Sequence, residues 1–172
     1  FQLDKHIDVI TNKFSWSSNS RITKLGYENE YLGLFKNVNY KAKNTNYYKL
    51  NDTISEFYGA LGFKSELGLF QIFDNDKLHI FKPKFLLRLS PHDSRDISEN
   101  ANVSSLKYSN VFNLNRVNSL DKIDTGNSLS LGFDFKISDI DKNKSITKDI
   151  FKFSLGQIIN ERSNIHMPKK AS

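Results

Sequence analysis

The chain has 172 residues, among them 14 phenylalanines, 7 tyrosines and no cysteine. That is length enough for one buried core, but thiolate metal sites, disulfides and a cysteine nucleophile are excluded from it. A formal charge of +6 would suit an anionic partner, yet the basic residues are dispersed rather than gathered into an arm or a helix, so nucleic acid is not expected.

The longest uninterrupted apolar run is Phe85-Leu86-Leu87, far short of a membrane-spanning helix. A β-barrel is untouched by that exclusion, because only alternate residues of its strands need be apolar. The sequence starts at Phe1 without an initiator methionine or a recognisable signal peptide, and it reads as part of a longer chain.

In chain order, a weak strand is expected from about Ile7 to Trp16, with Ile10, Phe14 and Trp16 in phase. Residues 31–43 set Leu32, Leu34, Val38 and Tyr40 against Gly33, Asn37, Asn39 and Lys41. Residues 56–70 set Phe57, Leu61, Phe63, Leu67 and Leu69 against Ala60, Gly62, Lys64 and Glu66. Residues 78–90 place Phe81, Pro83, Phe85, Leu87 and Leu89 opposite Lys82, Lys84 and Arg88. Pro83 lacks a ladder donor, so a bulge or locally weak pairing is expected there. After a polar stretch, Leu129, Leu131, Phe133, Phe135 and Ile137 alternate strictly with Ser130, Gly132, Asp134 and Lys136. Last, Phe151, Phe153, Leu155 and Ile159 lie opposite Lys152, Ser154 and Gly156.

The class is therefore all-β, with about seven antiparallel up-and-down strands. Period two alone fits either a half-buried strand of a soluble sandwich or a strand of a membrane barrel. The connections favour the barrel. Short joins at about 17–20, 71–77 and 138–149 alternate with long ones at 44–55 and 91–126, as in outer-membrane barrels. The polar faces carry glycine, lysine, aspartate and serine, which suits a wet lumen, and Trp16, Tyr27, Tyr31, Tyr47, Tyr48 and Tyr58 fall near expected strand ends.

Signals of catalysis are weak. His92, Asp93, Arg95, Asp96 and Glu99 cluster within a Ser- and Asn-rich loop after a proline, where solvated turn chemistry is the default. Asp139, Asp141, Asn143 and Ser145 have calcium-loop spacing, but Lys144 and Ile150 stand where glycine and glutamate belong. No phosphate-cradling glycine loop or nucleophile elbow is present. No enzymatic activity and no cofactor are expected.

With the strands in place, the stretch "YSNVFNLNRVNSLDKIDTGNSLSLGFDF" and the later "FKFSLGQIIN" become specific. Tyr108, Asn110, Phe112, Asn115, Arg116, Leu120, Asp121 and Ile123, with Ser154, Leu155, Gly156 and Gln157, follow the order of the LptD family, as do Pro83, Arg88, Ser90, Pro91 and Asp93 upstream. The chain resembles part of that family's C-terminal β-barrel domain, with Lys122 in place of the usual arginine and Val111 in place of the usual leucine.

The resemblance implies that residues 1–172 are an arc of a large barrel in the outer membrane of a Gram-negative bacterium, acting in lipopolysaccharide transport and insertion into the outer leaflet. An LptE-like lipoprotein plug would be a partner, as would an LptA-like periplasmic bridge through regions beyond this sequence. Leu129, Leu131, Phe133, Phe135, Ile137, Phe151, Phe153 and Leu155 would then face outer-membrane lipids. Lys64, Lys82, Lys84, Arg88 and Lys136 would face the lumen as candidates for lipopolysaccharide or plug contact. The loop 91–126 would be extracellular, anchored through Phe112, Asn115, Arg116 and Asp121 by buried hydrogen bonds and an ion pair.

Overall fold

The computed structural model describes residues 4–44, 53–73, 76–91, 106–117, 119, 123–141 and 146–161. Their aromatic and β-branched residues, at every second position, form eight strands and one short helix: β1 His6–Ser17, β2 Arg21–Ile22, β3 Tyr27–Lys43, β4 Thr53–Leu67, β5 Leu69–Phe73, β6 Lys77–Leu89, α1 Tyr108–Val111, β7 Ser128–Ile140 and β8 Ile146–Asn160. All strands belong to one antiparallel sheet whose order β1-β3-β4-β6-β7-β8 is sequential, with β2 beside β3 and β5 beside β6. The sheet is open, with β1 and β8 as its edges.

The two short strands are continuations of their predecessors. Glu66 pairs with Lys84 and Leu69 with Phe81, so β4 and β5 keep one register on β6 across the gap. The gap falls opposite Pro83, which has no N–H to give the ladder. The expected weak pairing is thus real, and it splits the strand expected at 56–70. On its other flank Pro83 pairs in unbroken register with Phe133, and the register shifts lie instead between β7 and β8, beside Ile137 and Asp139.

The connections alternate in length. Residues 23–26, 74–76 and 141–145 join strands at one end of the sheet, and 44–52 and 90–127 at the other. Gly26 takes φ +85° in the first tight turn, its N–H bonded to the Thr23 carbonyl at 2.9 Å. The residues expected as a join at 17–20 instead interrupt the strand between β1 and β2.

Pairing fixes which residues share a face. Residues 106–117, 119 and 123–127, called the docked segment, pack on one face, here called inner. Phe81, Pro83, Phe85 and Leu87 of β6 pair with the odd-numbered residues of β7, and those with Ile159, Leu155, Phe153 and Phe151 of β8, while Leu89 pairs with Leu61 of β4. All lie on the outer face, together with Phe57, Leu61 and Phe63 of β4. Many are openly exposed, Phe57 at 66%, Leu61 at 65% and Leu155 at 55%. Rings touch across strands along this face, as in Phe81–Phe133 and Phe133–Phe153.

Strand β3 departs from the sequence reading. Gly33 pairs with Leu61, Phe35 with Gly59 and Asn37 with Phe57, so its outer residues are Tyr31, Gly33, Phe35, Asn37, Asn39 and Lys41. The apolar stripe Leu32, Leu34, Val38 and Tyr40 points inward. There Leu34, Val38, Tyr40 and Ala42 join Tyr58, Ala60 and Ile123 in the buried core, with Ile54 and Leu114 packed on it. Beyond Phe35 and Phe57, toward the long connections, the outer face of β1, β3 and β4 turns polar: Asn12, Asn37, Asn39, Lys41, Thr53 and Ser55, with Ile10 as the apolar exception. The sheet is apolar outside at one level and apolar inside at the next. Tyr58, taken from sequence as a strand-end aromatic, is buried on the inner side, its hydroxyl donating to Glu56 at 2.7 Å. Tyr47 and Tyr48 lie outside the described residues.

Candidate functional site: the inner wall and its docked segment

The inner face of the sheet from β4 to β8 is built for close approach. Glycines at Gly62, Gly132 and Gly156 leave the backbone bare, and side chains of the long connection fill the space. A Cβ on Gly62 would stand 2.6 Å from Leu114 Cδ2. On Gly132 it would stand 2.9 Å from the Phe112 ring, and on Gly156 3.1 Å from Val111 Cγ1 and 3.3 Å from Tyr108. The half-helix α1 and its following turn are therefore keyed to three glycines on three strands.

Polar groups complete the docking. Arg88 is fully buried and donates from Nε to the Leu114 carbonyl at 2.6 Å and from Nη1 to the Gly126 carbonyl at 2.5 Å. One guanidinium so ties the middle of the connection to its end, and Gly126 accepts that path with φ +88°. Ser130 Oγ donates to the Val111 carbonyl at 2.8 Å, and Lys36 Nζ reaches the Ser119 carbonyl at 2.8 Å. Within the segment, Arg116 Nε donates to Asp124 Oδ2 at 2.5 Å and its Nη2 to Ser128 Oγ at 2.9 Å. The Asp124 backbone N–H donates to Asn115 Oδ1 at 3.0 Å. Both charges of the Arg116–Asp124 pair are out of water.

A second cluster centres on Asp134. It accepts from Lys84 Nζ and Tyr108 Oη at 2.5 Å and from Ser154 Oγ at 2.6 Å. Lys84 also lies 5.1 and 5.0 Å from the ring centroids of Tyr108 and Phe112, within cation–π range. Partial burial and the hydrogen bond to Asp134 push the Tyr108 phenol above its ordinary pKa, so it stays a neutral donor.

The five inner cations singled out in the sequence do sit on the inner face, but they differ in what they touch. Arg88 and Lys84 hold the docked segment. Lys136 pairs with Asp149 at 2.7 Å. Lys64 lies 3.8 Å from Glu30 and 3.7 Å from Glu66, and Lys82 is exposed. Lys64 opens onto a polar cleft of about 490 Å³ between wall and segment, shared with Lys13, Glu30, Asn113 and Asn115.

Phe112, Asn115 and Arg116 fall in the docked segment as expected. Asp121 lies outside the described residues, and the acid that Arg116 grips is Asp124, which the sequence reading passed over. Lys36 and Tyr108 were also missed as anchors. The cluster at 92–99 lies outside the described residues, as do Asn143 and Ser145 of the calcium-like spacing. The eight residues from Leu129 to Leu155 assigned to a lipid face all lie on the outer face by register.

A protein-family model described as LPS transport system D, LptD, matches residues 9–171. No curated protein matches the chain.

Proposed function

The chain belongs to the LptD family, whose role is in LPS transport, and on that premise we propose that it forms an arc of outer-membrane barrel wall through which lipopolysaccharide is inserted into the outer leaflet. The observation that carries this reading is the continuous exposed apolar face of β1, β3, β4, β6, β7 and β8. Within water such a face would be an association surface far larger than a monomer tolerates. In a bilayer it is the ordinary lipid contact of a barrel. On β4, β7 and β8 the mainly apolar outward stretch runs from 57 to 67, 129 to 137 and 151 to 159, broken by Ser65 on β4 and Gln157 on β8. These spans match the roughly 9–11 residues a tilted strand needs to cross the hydrocarbon.

The inversion of sidedness then marks where the wall leaves the membrane. Above Phe35 and Phe57 the outer residues meet water, and the inner ones bury themselves against the docked segment. A soluble sandwich would cover its apolar face with a second sheet in Greek-key order, whereas the described strands form one sheet paired in sequence. The open edges β1 and β8 need neighbouring strands, because unpaired backbone is not tolerated in lipid. Those strands come from other parts of the barrel. The chain works without catalysis, holding a lumen in which an LptE-like lipoprotein sits, while cargo arrives from an LptA-like bridge through regions beyond this sequence.

The test is depletion of the full-length protein while newly made lipopolysaccharide is followed to the cell surface. Accumulation in the inner membrane or periplasm, while other outer-membrane proteins still assemble, is expected. Unchanged surface lipopolysaccharide with reduced uptake of a solute would instead make this a porin-like wall.

A further inference from the structure

On the outer face, β4 outruns β6. Leu61 pairs with Leu89, the last residue of β6, and beyond it Ser90 turns its hydroxyl to the Gly59 carbonyl at 2.7 Å. The sheet is notched there. Two outward positions beside the notch, Gly33 and Gly59, carry no side chain, and a Cβ on Gly59 would meet nothing nearer than the Leu34 carbonyl at 3.8 Å. The result is an apolar groove of about 820 Å³ walled by Phe14, Trp16, Phe35, Leu61 and Leu89. Its polar rim is Ser90 and Asn127.

Immediately above, on the same outer face, lies a polar belt in which amides and hydroxyls stand nearest the groove, with Ile10 among them and Asp8 paired with Lys41 farther out. Asn12 pairs with Asn37, and Asn39 with Ser55. Asn37 Nδ2 donates to Ser55 Oγ at 3.0 Å, and Asn39 Nδ2 to Asn37 Oδ1 at 2.6 Å. We propose that the groove holds one acyl chain of a glycolipid whose saccharide head rests on the asparagine belt. This rests on the reading of the outer face as lipid-facing.

The occupant follows from continuity and chemistry. The groove opens into the apolar face at the level where that face ends, so what fills it comes from lipid chains. Within a bilayer, close packing against a concave wall discriminates between occupants, since apolar transfer contributes little there. The belt offers amide donors and acceptors, which suit sugar hydroxyls better than a phosphodiester, for which cationic forks are the usual partner. The groove lies at the end of the sheet that carries the long connections, so the lipid is one of the outer leaflet.

The experiment uses the full-length protein carrying a photoreactive residue at Leu61, reconstituted into vesicles of phosphatidylethanolamine and lipopolysaccharide in known proportion. Adducts at Leu61 should be enriched at least fivefold in lipopolysaccharide over its share of the lipid, while a probe at Phe153 reports the bulk share. Adding Gly59→Leu to the Leu61 probe should return it to the bulk share. Bulk proportions at Leu61, or enrichment of phosphatidylethanolamine there, would overturn the proposal while leaving the wall reading intact. Failure of both probes to capture any lipid would count against the membrane wall itself.

Discussion

Arg116 and Asp124 show how a residue-scale contact makes a loop into a fixed part of a wall. Breaking a buried pair by removing one partner leaves an uncompensated charge and costs about 3–5 kcal/mol. Asp124→Ala is therefore expected to speed protease cleavage within 106–127 by roughly a hundredfold or more, if cleavage follows local opening. Arg116→Lys keeps the charge but loses the fork that also reaches Ser128, and should fall between wild type and Asp124→Ala. Equal cleavage of all three proteins in membranes would show that the pair does not hold the segment. The glycines make a sharper contrast. A Cβ on Gly132 would lie 2.2 Å from the Leu155 carbonyl, whereas on Gly68 it would meet only Lys82 Cε at 4.0 Å. Gly132→Ala should then abolish the heat-modifiable folded form on gels, and Gly68→Ala should preserve it. Asn115 and Arg116 were legible in the sequence because they belong to a motif. Asp124 was not, because two acids, Asp121 and Asp124, flank the turn, and the path of the chain decides which one the guanidinium meets.

At the scale of the element, alternation told which residues share a face, but it could not tell which face meets which medium. For β7 and β8 the apolar set is outward. For β3 the same kind of pattern, Leu34, Val38 and Tyr40, is inward, because there the docked segment supplies the apolar neighbour. Period two carries parity only, and a strand that crosses from one medium to another exchanges its sides without changing its period. Pro83 was legible as a weak point from its missing donor alone, and the consequence is the break between β4 and β5. The facing of β8 gives a direct test. Phe153 lies on the outer face opposite Phe135, and its neighbour Ser154 lies on the inner face opposite Asp134. Phe153→Arg should cost about 2–4 kcal/mol if it lies near the bilayer midplane and lower the yield of folded barrel steeply. Ser154→Arg sets a cation beside a carboxylate and should assemble at close to the wild-type level. Equal losses from the two substitutions, measured as folded protein in the outer-membrane fraction, would remove the assignment of faces.

For the whole molecule, fold class and sequential pairing were written in the sequence because each strand carries its own signal, although the first turn falls at 23–26 and not at the expected 17–20. The docking of the segment on the inner face was not, since it depends on contacts between residues far apart, such as Arg88 with Leu114 and Gly126. Orientation across the membrane follows from putting the two together. The short turns at 23–26, 74–76 and 141–145 share one end, and the protruding ends of β3 and β4 share the other with 90–127. Barrels of the outer membrane keep short turns in the periplasm and long loops outside. The sequence contains no cysteine, so single introduced thiols in this region report on their own positions against the otherwise unchanged full-length protein. In intact cells a membrane-impermeant maleimide should label Lys41→Cys, which lies on the polar outer belt that the proposed reading sets above the hydrocarbon. It should not label Asp76→Cys, in a turn that the proposed reading makes periplasmic, until the outer membrane is permeabilised. Leu61→Cys, on the outer face below the inversion, should resist labelling in both states because lipid covers it. Labelling of Asp76→Cys but not Lys41→Cys in intact cells would reverse the wall and place 106–127 on the periplasmic side. Free labelling of Leu61→Cys would mean that water, not lipid, meets the outer face, and the inversion between Phe35 and Asn37 would then need a cause other than the edge of a membrane.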